Sequence, residues 1–400
     1  MRVLHVCDSL NPAGLGGYES YLHYLAKEMS SRGHESIIAT QKPRRDSPPV
    51  VARDDYEIVY LSGNLLEARK WEFLETPEKK RDALVDEMFK PDDLRENVSE
   101  ISRELDVLIT EKNPEVIHAH STYVVFNRVL DSLREHGRIA ETPLILTVHG
   151  RPKPLILPGQ TRTTDYEQLS QSCPFERVLA VSENVAEQLK SHLALPSLVE
   201  TCYLGIDLSV FRPILRTEKQ WDLAYMGRLE RMKAVDLLPQ MLREVLKQIP
   251  EVRMLVTGDG SLRRWLSDEL ANQGVQESVE YLGVVEADRI PQLINQCRLF
   301  LYPSREEPFG LSIVEAMACG VPVLTTNVFG PSEIVTHNVD GYMVDSDETS
   351  QLADAVVLLL SDDKLRTRLG RRGRQTAELR FSMRTHTDTL LKTYSELGAQ

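Results

Sequence analysis

Three things are scarce in this 400-residue sequence, and each scarcity removes a class of function. No stretch approaches the ~18 to 20 consecutive apolar residues of a membrane helix, so a membrane-spanning chain is not expected. Cysteine is sparse: Cys7, Cys173, Cys202, Cys297 and Cys319 are scattered, odd in number and without metal-ligand spacing. That usage excludes a disulfide scaffold and a zinc module and predicts a reducing, cytoplasmic setting. Positive charge is in deficit, with 47 Lys and Arg against 60 Asp and Glu and a net charge of −13, so no nucleic acid partner is expected. One basic stretch, Lys364 to Arg384, contains Arg371-Arg372-Gly373-Arg374 and reads as a solvated helix face. Peripheral membrane contact is therefore not indicated. The opening Met1-Arg2-Val3-Leu4-His5-Val6 runs straight into a strand-like segment and lacks the features of a signal peptide. Nor is there a short-period repeat, which excludes a solenoid.

What is present is an alternation. The length suits two domains sharing a cleft. Val3–Val6, Ser36–Thr40, Val116–His120, Leu144–Val148 and Val178–Val181 read as strands separated by helical segments. In the first such helix Leu22, Leu25, Ala26 and Met29 share one face. Asp222–Met226, Arg253–Val256, Val279–Leu282, Leu299–Tyr302 and Val321–Thr325 repeat the scheme. Strands alternating with helices imply parallel sheets covered on both faces. The fold class is thus α/β, two doubly wound Rossmann-like parallel-sheet domains facing a cleft. The expected division is 1–205, then 206–378, then a terminal helix over 379–400 packing back on the first domain. A charge-rich surface insertion is expected at about 42–113, with a long helical pattern from Pro91 to Thr110, and Gly205 to Pro213 reads as the linker.

Ligands in such sheets bind beyond the carboxyl ends of the strands, and the candidate motifs all fall there. In Glu307-Pro308-Phe309-Gly310-Leu311-Ser312-Ile313-Val314-Glu315, Pro308 keeps Glu307 extended and on the loop. The N–H groups of Phe309, Gly310 and Leu311 then stand at a helix N-terminus, suited to a diphosphate or to sugar hydroxyls. Glu307 and Glu315 can accept from sugar and ribose hydroxyls; two solvated acids at a helix start fit the same spacing equally well. Gly227-Arg228-Leu229-Glu230-Arg231-Met232-Lys233 follows a strand, and Arg228 with Lys233 could neutralise two phosphates. Gly14-Leu15-Gly16-Gly17-Tyr18 is a glycine loop opening a helix, where backbone can approach a phosphate. His149 ends a strand and could bond sugar hydroxyls or exchange protons. His118 and His120 point to one face of their strand, a spacing that suits a metal, yet no Cys or acidic partner stands nearby in the sequence. His118 reads as structural, and His120, at the strand tip, stays open between structure and ligand.

Together these residues resemble the retaining nucleotide-sugar glycosyltransferases of glycosyltransferase family 4, which share the two-domain GT-B fold. The resemblance covers nearly the whole chain: Gly16-Gly17, Val116 to His120, His149, Ala180-Val181-Ser182-Glu183, Gly205-Ile206-Asp207 with Phe211-Arg212-Pro213, Gly227-Arg228, Gly258-Asp259-Gly260, and Glu307 to Pro322. It implies that Arg228 and Lys233 grip the donor diphosphate, that Glu307 and Phe309 to Leu311 hold the sugar, and that Glu315 binds ribose. It also implies that His149 lies near the transferred sugar and that Leu282 to Val285, with Val284 among them, flanks the base. The first domain would bind the acceptor and the second the donor. Leu204 stands where the family usually has a polar residue, and the 42–113 segment follows no general family pattern.

The implied activity is that of a hexosyltransferase in glycan biosynthesis. It would transfer a sugar from a UDP-sugar, or a GDP-sugar, to a hydroxyl of a glycan, lipid-linked or small-molecule acceptor. Retention is expected by same-face attack, since double displacement needs a carboxylate nucleophile that the sequence does not obviously offer. Arg228, Lys233 and helix dipoles would stabilise the leaving diphosphate, so no metal and no cofactor are expected. Asp345-Ser346-Asp347 reads as a solvated loop, although it has the form of an Asp-x-Asp metal motif. Rival readings are a sugar-nucleotide epimerase or phosphorylase on the same fold and a non-catalytic nucleotide-sugar sensor. A dinucleotide-dependent oxidoreductase fails for want of an acidic residue ending the second strand.

Overall fold

The computed structural model describes residues 1–7, 10, 17–41, 50–53, 55–62, 80, 91–120, 124–151, 154–155, 163–171, 173–345 and 348–398. Two compact units emerge. One takes in Met1–Pro12, Tyr18–Tyr203 and His386–Gln400, the other Ala13–Gly17 and Leu204–Thr385.

In the first unit, β1 (Arg2–Cys7), β2 (Glu35–Gln41), β3 (Val50–Ala52), β4 (Glu57–Leu61), β5 (Val116–Ala119), β6 (Leu144–Val148), β9 (Arg177–Ala180) and β10 (Val199–Thr201) form one sheet. Two further short strands, β7 (Pro154–Leu155) and β8 (Thr163–Thr164), pair only with each other. The order is β10-β9-β6-β5-β1-β2-β4-β3, parallel throughout except for β3 against β4. The strands are runs of Val, Ile and Leu because helices cover both faces of the sheet. The helix Gly17–Ser31 buries Tyr21, Leu22, Leu25, Ala26 and Met29, the apolar stripe of its sequence plus one aromatic.

The expected insertion at 42–113 is narrower than its charge suggested. β4 pairs with β2 inside the sheet, and the helix Pro91–Lys112 buries Ile101 and Leu105 completely. Both belong to the doubly wound frame, and their polar outer faces are what the sequence displayed.

In the second unit, β11 (Trp221–Met226), β12 (Met254–Thr257), β13 (Val279–Gly283), β14 (Cys297–Tyr302), β15 (Val323–Thr326) and β16 (Tyr342–Val344) form an all-parallel sheet. Its order, β13-β12-β11-β14-β15-β16, is that of the dinucleotide-binding doubly wound sheets, with the reversal between β11 and β14. Set aside the two edge strands β3 and β10, and the first unit has the same order, reversing between β1 and β5.

The basic stretch is not simply solvated. On the helix Asp363–Arg380, Arg366 donates to the carbonyls of Leu359 and Leu360, at the end of the helix Thr349–Ser361. Arg374 donates to the carbonyls of Ala318 and Phe211. Each guanidinium meets carbonyls that a helix end or turn leaves without intrahelical partners, which is why these arginines lie partly under the surface. Among the described residues no helix is long and apolar enough to cross a membrane.

Candidate functional site

At the reversal of the second sheet, two loops are stitched together before any ligand is considered. After β11 the chain turns through Gly227 to the short helix Arg231–Lys233; after β14 it runs from Pro303 to Gly310 and enters the helix Leu311–Ala318. Ser304 Oγ donates to the Met232 carbonyl at 3.1 Å, and Arg305 grips Asp236 with two bonds of 2.5 and 3.0 Å. Neighbouring loops are locked too. Glu230, buried, accepts from the N–H and hydroxyl of Ser261 at 3.0 and 2.6 Å. Gly258 has φ +119°, and a Cβ there would stand 1.9 Å from the Gly227 carbonyl oxygen, so only glycine fits. Gly330 lies so close beneath the loop that a Cβ would meet Phe309 Cα at 2.5 Å.

These constraints converge on Lys233 and Glu307, residues 74 apart in sequence whose side chains form an ion pair, each residue only 8% exposed. Tyr302, at the end of β14, completes the group. Its hydroxyl donates to Glu307 Oε2 at 2.5 Å and accepts from Lys233 Nζ at 3.1 Å, while the ammonium also lies 5.4 Å from the ring centre. Burial would raise the Glu307 pKa, but Lys233, the Tyr302 hydroxyl and Arg228 outweigh it and hold the carboxyl below its ordinary value. Burial first, and then Glu307, push the Tyr302 phenol well above the ordinary tyrosine range, so it stays protonated and able to donate. Arg228 itself is exposed, with the Met232 sulfur 3.8 Å from its guanidinium.

The other residues singled out by the sequence are distributed as follows. Gly310 caps the helix Leu311–Ala318, whose first N–H groups, those of Leu311 and Ser312, have no intrahelical partner. The Phe309 ring is buried and meets Phe381 edge-on, so only its backbone is left to face a ligand. Glu315 lies inside that helix, one turn beyond Leu311, and burial pushes its carboxyl up to about 7. Val284 is exposed just past β13. Gly17 opens its helix and is exposed; Gly16 lies outside the described residues, as do Ser346 and Asp347.

His149 belongs to the first unit, at the end of β6, and there the corresponding reversal is filled with imidazoles. His5 of β1 sits in register with His118 of β5, and both are buried with His120. His5 Nδ1 lies 3.0 Å from His120 Nε2, and His120 Nδ1 lies 3.4 Å from His149 Nε2. His118 is held at both nitrogens, by Tyr394 OH at 2.6 Å and Thr147 Oγ1 at 2.7 Å. His386 Nδ1 donates to the Tyr203 carbonyl at 2.7 Å, so its Nε2 accepts from Tyr21 OH at 2.6 Å. Burial lowers the pKa of His5 to about 3 and of His386 to about 4, and drives His118 and His120 well below the ordinary histidine value. All four are neutral at pH 7.

Nitrogens of His5, His118 and His120 come within 4.8 Å of one another, a convergence that the sequence reading, which expected no metal, did not foresee. The group contains no carboxylate, and His118 already spends both nitrogens on hydroxyls. A divalent ion there would be buried without a counter-charge.

Sequence reasoning missed Tyr302, His5 and Glu230. Tyr302 is one more large residue in Leu299-Phe300-Leu301-Tyr302, and its one signal was a polar tip at a strand's carboxyl end. His5 was hidden by strand register: it becomes a neighbour of His118 only once β1 is laid beside β5.

Two doubly wound sheets, the second reversing beside a buried ion pair and a helix N-terminus, are the arrangement of the GT-B fold. The chain belongs to the glycosyltransferases of family 4. Residues 15–210 match the description Glycosyltransferase Family 4, and residues 209–376 match Glycosyl transferases group 1. A glycosyltransferase of Methanocaldococcus jannaschii is 25% identical over 73% of this chain and 78% of its own length. Among solved structures, sucrose-phosphate synthase of Thermosynechococcus elongatus aligns over 99% of both chains with a TM-score of 0.79 at 18% identity. HepE of Anabaena, solved with UDP and glucose, aligns over 99% of this chain and 100% of its own with a TM-score of 0.72 at 20% identity.

Proposed function

We propose that this chain is a retaining, metal-independent hexosyltransferase that moves a sugar from a nucleoside diphosphate, UDP before GDP, to an acceptor hydroxyl. The acceptor is a glycan, a lipid-linked sugar or a small molecule. The observation that carries the reading is the Lys233–Glu307 pair, buried at the reversal of the second sheet with Arg228 beside it. A buried ion pair held by a tyrosine at the carboxyl end of the sheet is a costly arrangement for stability alone, and it suits a ligand that brings both charge and hydroxyls.

In this reading Arg228 and Lys233 take the diphosphate, and their charge meets the negative charge that grows on the leaving phosphate. The N–H groups at Gly310 and Leu311 add the dipole of their helix. Glu307 accepts from hydroxyls of the sugar, and Glu315 accepts from the ribose. Gly17 and Val284 are assigned to donor binding, Val284 to the base, and His149 is assigned to the transferred sugar. Glu307 is ion-paired with Lys233 through Oε2, which disfavours it as a covalent nucleophile and favours same-face attack with retention. Two cations at the phosphates make a metal unnecessary. UDP takes precedence because HepE was solved with UDP and glucose. The sparse, scattered cysteines suit a cytoplasmic setting.

A panel of UDP-glucose, UDP-galactose, UDP-N-acetylglucosamine and GDP-mannose, scored by thermal shift and by slow donor hydrolysis, tests the reading. One nucleotide sugar is expected to stabilise the protein and to release nucleotide, with activity surviving excess EDTA. Abolished turnover restored by a divalent ion would overturn the metal-independent part. Phosphate-dependent cleavage of an oligosaccharide would overturn transfer in favour of a phosphorylase, and stabilisation without any turnover would favour a sensor.

A further inference from the structure

Lys233 has three N–H donors. One goes to Glu307 and one to Tyr302. Glu307 has two oxygens, and both protein bonds fall on the same one, Oε2. The arrangement therefore leaves one ammonium N–H and the other carboxylate oxygen, Oε1, to face a ligand. What enforces it is the Tyr302 hydroxyl, which touches both partners. Without that hydroxyl the carboxylate could turn about its terminal bond and take Lys233 on either oxygen or both, since such torsions are broad.

We propose that Tyr302 is a positioning residue of the donor site, fixing which oxygen of Glu307 and which N–H of Lys233 are presented to the nucleotide sugar. The inference rests on the reading of Lys233 and Glu307 as donor ligands. The seat of Tyr302 suits the task. It is the last residue of β14, it is 5% exposed, and its own carbonyl accepts from Thr325 Oγ1 on β15 at 2.8 Å. The phenol thus hangs from two adjacent strands and not from the loop that carries Glu307. A loop residue held from the sheet keeps its place when the loop moves.

The effect has a signature that a merely structural tyrosine would lack. The titratable and charged groups around Glu307 are Lys233, Arg228, Tyr302 and Tyr225, with Glu230 beyond Tyr225. Removing the phenol oxygen takes away one donor to the carboxylate, so Glu307 becomes easier to protonate. The acid limb of the pH profile of kcat/KM must then move to higher pH.

The test uses the full-length protein and whichever nucleotide sugar of the four-member panel is hydrolysed fastest. Tyr302→Phe is expected to lower kcat about tenfold with KM changed less than about threefold, and to move the acid limb upward. Thr325→Val loosens the backbone seat but keeps the phenol, and its acid limb is expected to stay in place. Wild-type kcat and an unmoved limb in Tyr302→Phe, while Lys233→Ala and Glu307→Gln both lose turnover, overturn the inference and leave the donor-site reading standing. Near-normal turnover in Lys233→Ala and Glu307→Gln overturns that reading, and the inference with it. Should Tyr302→Phe not fold, 3-fluorotyrosine at position 302 offers a stronger donor and must move the limb downward. An unmoved limb in that folded protein overturns the inference.

Discussion

The two sheets share a strand order and a point of reversal, and they fill that point with opposite chemistry. At the reversal of the first, between β1 and β5, stand neutral imidazoles and tyrosines with almost no exposure. At the reversal of the second, between β11 and β14, stand Lys233, Glu307, Tyr302 and the exposed Arg228. The same frame thus holds hydrogen bonds without charge at one reversal, and at the other an ion pair beside an exposed guanidinium. Uncharged polar groups tolerate an acceptor of little charge, whereas a diphosphate needs cations. Topology set the place, and side chains set what each place is for.

The largest effect expected from disturbing this contrast is at Lys233. In Lys233→Ala the Glu307 carboxylate is left buried without its ion partner, which costs about 3–5 kcal/mol of stability, and turnover falls about a hundredfold. Chemical denaturation and donor hydrolysis read the two losses, and unchanged stability would mean that the ion pair is absent in solution.

Acid should strike the first unit next. Its buried histidines have pKa values depressed from 6.5, His5 to about 3 and His386 to about 4. The unfolded chain therefore binds more protons between those values and 6.5, so stability is full above pH 6.5 and falls as pH drops towards 4. The slope is about 1.4 kcal/mol per pH unit for each such histidine. Denaturation midpoints at pH 7, 6 and 5 measure it, and His5→Asn should flatten the slope. An equal slope in that variant would place the acid sensitivity elsewhere.

Arg228→Ala sharpens the comparison from the other side. Because Arg228 is exposed, its loss should cost about a hundredfold in kcat yet leave stability within about 0.5 kcal/mol. The smallest effect is at Glu315. Its carboxyl is pushed up to about 7, and in the proposed role it accepts from both ribose hydroxyls best when ionised, so donor KM should fall as pH rises through 7. Glu315→Gln should raise KM about threefold, leave kcat nearly unchanged and abolish that pH dependence. If Glu315→Gln instead lowers kcat while Glu307→Gln raises only KM, the donor lies the other way round.

Most of the frame was legible in the sequence because parallel strands buried on both faces announce themselves as apolar runs. β4 was not legible, since Glu57-Ile58-Val59-Tyr60-Leu61 is a short run set in a charge-rich stretch of sequence. β16, three residues opening from Gly341, passed for loop. Of the candidate site, Lys233 and Glu307 were each legible from their motifs, but that they bind each other was not. That pairing arises from the adjacency of β11 and β14, which no local pattern encodes. The carbonyl-binding roles of Arg366 and Arg374 were likewise invisible, because a guanidinium meant for a helix end and one meant for water look alike in sequence.

One feature of the first unit bears on how the protein is made. His118 finds one of its two bonds in Tyr394, and Tyr21 finds its bond in His386, both on the helix Met383–Glu396. The ribosome delivers Met1–Tyr203 first and these partners only after the whole of the second unit has emerged. The earlier unit therefore waits, nearly complete, with an imidazole and a phenol lacking their mates. The later unit carries all of its own sheet and can close at once, so the order of synthesis and the order of completion run in opposite directions.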